Sequence, residues 1–135
     1  MDHLAPRERS ANMAKIRSRD TKPEIIVRRI CWGLGYRYRL HAKDLPGRPD
    51  LVFRPVQKVI FVNGCFWHQH RGCSEGHIPK SRREYWIPKL TGNKRRDVRN
   101  KSRLTRMGWK YLVVWECQTS DPERLLRLLS QFLSS

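Results

Sequence analysis

From Val59 the chain runs Val-Ile-Phe-Val without a break, turns at Asn63-Gly64, and then sets two cysteines and two histidines within the nine residues Cys65 to Cys73. An unbroken apolar run is what a strand covered on both faces requires. A loop dense in thiols and imidazoles offers a core little to bury and offers a soft metal ion several ligands. Together these neighbouring segments predict a central strand sandwiched between helices, delivering the chain into a metal-stapled loop.

The flanking sequence supplies the layers. A helix is predicted to start at Thr21-Lys22-Pro23-Glu24, with Thr21 as N-cap and Glu24 closing a capping box, and Val27, Ile30, Cys31 and Leu34 keep helical spacing until Gly33 and Gly35 stop it. Tyr36 to Leu40 alternates rings and charges as a half-buried strand does, and Leu45-Pro46-Gly47-Arg48-Pro49 turns into a second strand, Asp50 to Phe53. After the third strand and the irregular segment to about Ile78 come a basic helix from Ser81 to Arg106, a fourth strand from Trp109 to Glu116, and a terminal helix opened by Asp121-Pro122-Glu123. Residues 1–20 read as a basic arm and 21–135 as one α/β domain, a mixed central sheet flanked by helices. Cys31, Trp32, Trp109 and Trp115 are assigned to its core.

For the metal, Cys65, His70 and Cys73 can converge on one Zn²⁺ ion, and Cys117 at the end of the last strand supplies a fourth ligand. Two substitutions in that set stay open: His68 for His70, and His77 for Cys117. A site closed by four protein ligands is structural, since no position remains for water.

Composition then narrows the partner. Among 135 residues, 29 Lys and Arg face 12 Asp and Glu, a net charge of +17. From Lys80 to Lys110 there are twelve cations and two acids, interleaved with Tyr85, Trp86 and Trp109. Cations mixed with planar rings suit phosphates and base stacking, hence nucleic acid. No apolar stretch approaches the ~20 residues that span a bilayer, and the first residues lack a secretory h-region, so a reducing cytoplasm and no membrane partner are expected.

Several strings are specific enough to carry a resemblance. Leu45-Pro46-Gly47-Arg48-Pro49-Asp50, then Val59 through Asn63-Gly64-Cys65-Phe66-Trp67-His68-Gln69-His70, Arg82-Arg83-Glu84-Tyr85-Trp86 and Val113-Val114-Trp115-Glu116-Cys117 closely resemble the very short patch repair endonucleases, as do Arg9-Ser10-Ala11-Asn12-Met13 and Arg19-Asp20-Thr21. The resemblance spans about residues 9–117. It implies a restriction-endonuclease-like fold and Mg²⁺-dependent nicking of duplex DNA 5′ of the thymine in a T:G mismatch, the lesion left when 5-methylcytosine deaminates. It also implies a structural zinc on Cys65, His70, Cys73 and Cys117, a monomer, a bacterial cytoplasmic enzyme that joins the nucleoid when bound to DNA, and mismatch-repair proteins as partners.

The resemblance extends to single residues. Asp50 matches the Mg²⁺ ligand, assisted by the backbone carbonyl of Val62, and chemistry agrees: a carboxylate opening an apolar strand has little structural purpose there. His68 matches the histidine near the scissile phosphate, suited to acid or base work near neutral pH. Glu24 matches an acid that organises the metal and its waters. Asn63 stands where the family pattern has a second histidine, and an amide cannot titrate there. Phe66, Trp67 and Trp86, with Met13 from the arm, match the side chains wedged into the base stack, where insertion is cheapest at a mispair. Two other readings are a zinc-containing DNA-binding module without catalysis and a nuclease of the same fold with different specificity.

Overall fold

The computed structural model describes residues 20–135; the predicted arm and Met13 lie outside the described residues. Helix α1 spans Lys22–Gly33 and is followed by strands β1 (Arg39–Leu40), β2 (Leu51–Phe53) and β3 (Lys58–Asn63). Helix α2 (Arg83–Arg106), strand β4 (Lys110–Trp115) and helix α3 (Pro122–Ser134) complete the order, with 3₁₀ turns at Arg54–Val56 and Glu116–Ser120. The sheet runs β1-β2-β3-β4; the first two pairings are antiparallel and β3 with β4 is parallel, the change of direction being made through α2.

Period-two alternation divides the core between the two faces of this sheet. Leu51, Phe53, Ile60 and Val114 pack with Val27 and Cys31 of α1 and with Leu125, Leu129 and Leu133 of α3. Val52 and Val59 point the other way, against Ala42, Leu45 and Leu104 of α2, with Phe61 and Trp109 at the margin. Consecutive residues of β3 are therefore buried on opposite faces, the arrangement its apolar run requires. Among the described residues no helix is long and apolar enough to cross a membrane.

Three local expectations need correction. The strand predicted from Tyr36 keeps only Arg39 and Leu40, because Tyr36 and Tyr38 turn their rings edge-on to Phe53 and pack as core flank. Thr21 caps α1 by accepting the Glu24 N–H, but the Glu24 carboxylate accepts the Asp20 N–H rather than that of Thr21. That carboxylate is buried against Arg28, so it serves more than a cap. Trp32 is 53% exposed, not core: it sits on the outer face of α1 with the Arg37 guanidinium 3.5 Å above its ring.

One buried cation ties the layers together. Lys58, at the start of β3, is 3% exposed, and its ammonium donates to the carbonyls of Phe132 (2.8 Å), Leu133 (3.1 Å) and Ser135 (2.7 Å). These are carbonyls that the end of α3 leaves without intrahelical partners, at the negative end of the helix dipole. Replacing Lys58 by Met keeps the stem but strands these acceptors; urea unfolding should show a loss of about 2–3 kcal/mol.

Candidate functional site

The sheet register brings Asp50 to its place. With Leu51 opposite Ile60, Asp50 stands just beyond the paired end of β2, and its Oδ2 accepts the Val62 N–H at 2.7 Å where the ladder would otherwise continue. The turn before it is tight: Gly47 takes φ +79, and a Cβ there would lie 3.0 Å from the Phe61 ring and 3.1 Å from the Asn100 side chain. Asp50, Val62, Asn63 and His68 line one cleft of about 250 Å³ with Gly47, Arg48, Phe61 and, from α2, Asp97, Asn100 and Lys101. Burial pushes the Asp50 carboxyl above the ordinary aspartate range, opposed by the Val62 hydrogen bond and by the charges of His41, His68 and Arg28.

Across the cleft, His68 Nδ1 lies 2.6 Å from Asp97 Oδ2. A ring nitrogen facing a carboxylate carries the proton, which leaves Nε2 as the free acceptor and fixes the ring plane. Asp97 was not legible as a functional residue, since in sequence it is one acid in a run of cations. Its signal lies in helical geometry: Asp97 is turned about 200° from Arg95 and Arg99, on the inner side of α2. Asn63 is buried and lines the cleft; Glu24, also buried, is outside its lining and is linked to Asp50 through His41, whose Nε2 stands 3.2 Å from Glu24 Oε2 and whose Nδ1 stands 3.9 Å from Asp50 Oδ1.

The loop after β3 folds back through bonds from the His68 N–H to the Gly64 carbonyl and from the His70 N–H to the Cys65 carbonyl. Its return pass is so close that a Cβ on Gly76 would fall 2.0 Å from the His70 carbonyl oxygen. This brings the ligand atoms of Cys65, His70, Cys73 and Cys117 within 4.8 Å of one another. His70 Nδ1 is 3.6 Å from Cys65 Sγ and 3.4 Å from Cys117 Sγ. A tetrahedral Zn²⁺ with its usual bond lengths separates N from S by about 3.5 Å, so the residues fit the ion. Neither open substitution is realised: His68 is committed to Asp97, and exposed His77 faces the Ser74 carbonyl. Trp115 stacks on His70 at 4.2 Å and orients its ring. Burial pushes the Cys65 thiol up to about 12, whereas the Glu75 N–H draws Cys73 below the ordinary thiol range. Metal loading must therefore expel protons, Cys65 giving up the most reluctant one.

Phe66 and Trp67 of this loop and Trp86 of α2 form one half-buried cluster, with ring centroids 5.2 Å apart for Phe66–Trp67 and Phe66–Trp86 and 5.9 Å apart for Trp67–Trp86. Tyr85, 42% exposed, extends it outward. Buried Asn93, another residue the sequence did not flag, donates to the Trp67 carbonyl at 3.0 Å and binds the loop to α2. Lys94, Arg95, Arg99, Arg103 and Arg106 are exposed along the same helix. The aromatic cluster and the cleft both draw on α2, the first through Trp86 and the second through Asp97, Asn100 and Lys101, while Arg95 and Arg99 lie on the outer side of the same helix.

The family model described as "DNA mismatch endonuclease Vsr" matches residues 1–74. The chain is 50% identical over 120 residues to the Type II nicking enzyme V.XorIIP of Xanthomonas oryzae pv. oryzae, covering 89% of this chain and 88% of that one. It is 42% identical over 134 residues to the Type II nicking enzyme V.NmeAIP of Neisseria meningitidis, covering 96% and 95%. It is 43% identical over 117 residues to the DNA mismatch endonuclease Vsr of Escherichia coli K12, covering 87% and 74%.

The thiol cluster generates a prediction independent of activity. Protein purified without chelator should carry about one zinc per chain by elemental analysis, and Cys117→Ser should lose it. The variant should melt lower than wild type in zinc, and the gap should close once both are stripped with chelator.

Proposed function

The chain belongs to the DNA mismatch endonuclease Vsr family and is a DNA-nicking endonuclease, and from that premise we propose that it cuts one strand of duplex DNA 5′ of the thymine in a T:G mismatch. The observation that carries this reading is the cleft itself: an oriented imidazole, His68 on Asp97, and a half-buried carboxylate, Asp50 on the Val62 N–H, line it together with the cations Arg48 and Lys101. The α/β order and mixed sheet support a restriction-endonuclease-like domain over residues 21–135.

Hydrolysis of a phosphodiester adds water to phosphorus and breaks one P–O ester bond, so a proton must leave the water and another must reach the departing oxygen. His68 handles one of these transfers through Nε2, and Asp97 steadies the imidazolium that forms. The oxygen donors Asp50 and the Val62 carbonyl would hold Mg²⁺; a strand residue directs its N–H and C=O to the same side, so this carbonyl faces Asp50. When bound, that ion supplies positive charge against the phosphate oxygens. Glu24 orders the neighbouring waters, and Asn63, an amide, hydrogen-bonds without exchanging protons.

Mismatch selectivity is assigned to Phe66, Trp67 and Trp86, with Met13 as a further wedge. Rings already packed together outside the main core lose little order on entering a base stack, and unstacking costs least at a mispair. A zinc on Cys65, His70, Cys73 and Cys117 would hold the loop that presents two of those rings. The cations of α2 grip phosphates without reading sequence. The names of the Xanthomonas and Neisseria relatives, Type II nicking enzymes, favour a second reading in which a nick is made at other sites.

One assay separates these readings. A duplex with a single T:G pair should be nicked in Mg²⁺ and left intact in EDTA, and its matched control should remain whole; equal nicking of both duplexes would select the second reading. Asp50→Asn should lower the single-turnover rate at least about 100-fold. Because the Asp50 pKa is raised on folding, its ionised form costs stability: the full stability is present below the ordinary aspartate range and is lost as pH rises through the raised pKa. Metal-free Asp50→Asn should accordingly melt above metal-free wild type at neutral pH, with the gap closing on acidification.

A further inference from the structure

His41 has no part in the chemistry above, yet it touches both acids that do. Its backbone is left-handed, φ +51, which turns the chain at the end of β1. Its N–H donates to the Asp50 carbonyl at 3.1 Å, one step past the Leu40 and Leu51 pair, so β1 sets it directly across from Asp50. The half-buried ring then reaches two carboxylates on different elements. Nε2 is 3.2 Å from Glu24 on α1, and Nδ1 is at ion-pair distance, 3.9 Å, from Asp50.

Arg28 closes the arrangement from the far side. Its guanidinium bonds to Glu24 Oε2 and, at 2.6 Å, to Asp20 Oδ1, and it stands 3.3 Å from His41 Nε2. The Tyr38 hydroxyl in turn donates to the Arg28 carbonyl. Asp20, Glu24 and His41 lie close enough together to suggest a second metal centre, but Arg28 already occupies that position as a resident cation. What remains is a link from α1 through Glu24 and His41 to Asp50.

We propose that His41 is a positioning residue for the nicking reaction: its imidazole spans Glu24 and Asp50 and holds the two carboxylates at a fixed separation, with Arg28 fixing Glu24 from behind. This rests on the reading of Asp50 and Glu24 as the acidic centre. A partner that orients a metal-binding carboxylate is worth 10–100-fold in affinity or rate, an order of magnitude typical of such outer contacts. A group of this kind affects the chemical step and leaves the grip on DNA untouched.

The test compares wild type, His41→Ala, His41→Gln and Asp50→Asn in four measurements: single-turnover nicking of the T:G duplex, duplex affinity by anisotropy in EDTA, binding of Mn²⁺ alone by electron paramagnetic resonance, and melting temperature. His41→Ala should nick about 10–100-fold more slowly and bind Mn²⁺ more weakly by a similar factor, with duplex affinity within about twofold of wild type. His41→Gln, whose amide can serve one carboxylate, should fall between. Ala and Gln variants that both nick and bind Mn²⁺ within twofold of wild type overturn the inference. It is equally overturned if, in both variants, the loss of rate is matched by equal losses of duplex affinity and melting temperature, the mark of a purely structural role. Wild-type nicking by Asp50→Asn would instead overturn the acidic centre itself, a result distinguishable from failure of His41 alone.

Discussion

The hydrogen bond from the Val62 N–H to the Asp50 carboxylate is the point on which the rest depends. Up to Leu51 and Ile60, β2 and β3 are joined by backbone pairing alone. One residue further on, a side chain takes over the ladder, and the strand edge becomes a place where an anionic group is held by fixed geometry. A register slip of one residue would send Asp50 to the opposite face, under α1 and α3, where apolar side chains fill the space. Burial of β3 on both faces, with Val59 and Ile60 facing opposite layers, forbids that slip. Core packing thereby sets the position of a charged atom it never touches.

Most of the scaffold was legible because its signals are local. Caps, breakers and spacing located all three described helices, and α2 emerged at Arg83–Arg106 with Pro88 inside it, which removes the hydrogen bond to the Glu84 carbonyl without ending the helix. The unbroken run of β3 marked the centre of the sheet. The four thiol and imidazole groups of the cluster were readable from residue type and spacing, and three-dimensional closure brings these four together without His68 or His77. Less was visible wherever a residue acts through a partner distant in sequence. Nothing local connects His68 to Asp97, His41 to Glu24, or Lys58 to the end of α3. Trp32 was misread for a related reason: hydrophobicity places a tryptophan inside, but a guanidinium stacked on its outer face makes exposure tolerable.

Charge is divided by depth. The net +17 resides on surfaces such as the outer face of α2, where screening by salt weakens each contact and many together govern affinity. The few acids that matter sit inward, each matched with a cation or an N–H: Asp50 with Val62 and His41, Glu24 with Arg28, Asp97 with His68. A polyanion meets favourable charge all along the exterior and unfavourable charge only where its backbone would enter the cleft. This arrangement suits an enzyme that must hold a duplex broadly and act on it at a single phosphate.

Helix α2 carries both kinds of group within one turn. Arg95 and Arg99 face solvent while Asp97, between them, faces inward to the imidazole. A load on the outside of this rod falls on the same helix that holds Asp97 against His68. The rod therefore couples its two sides: a helix cannot shift Arg95 and Arg99 without also carrying Asp97, and with it the contact that orients the His68 ring.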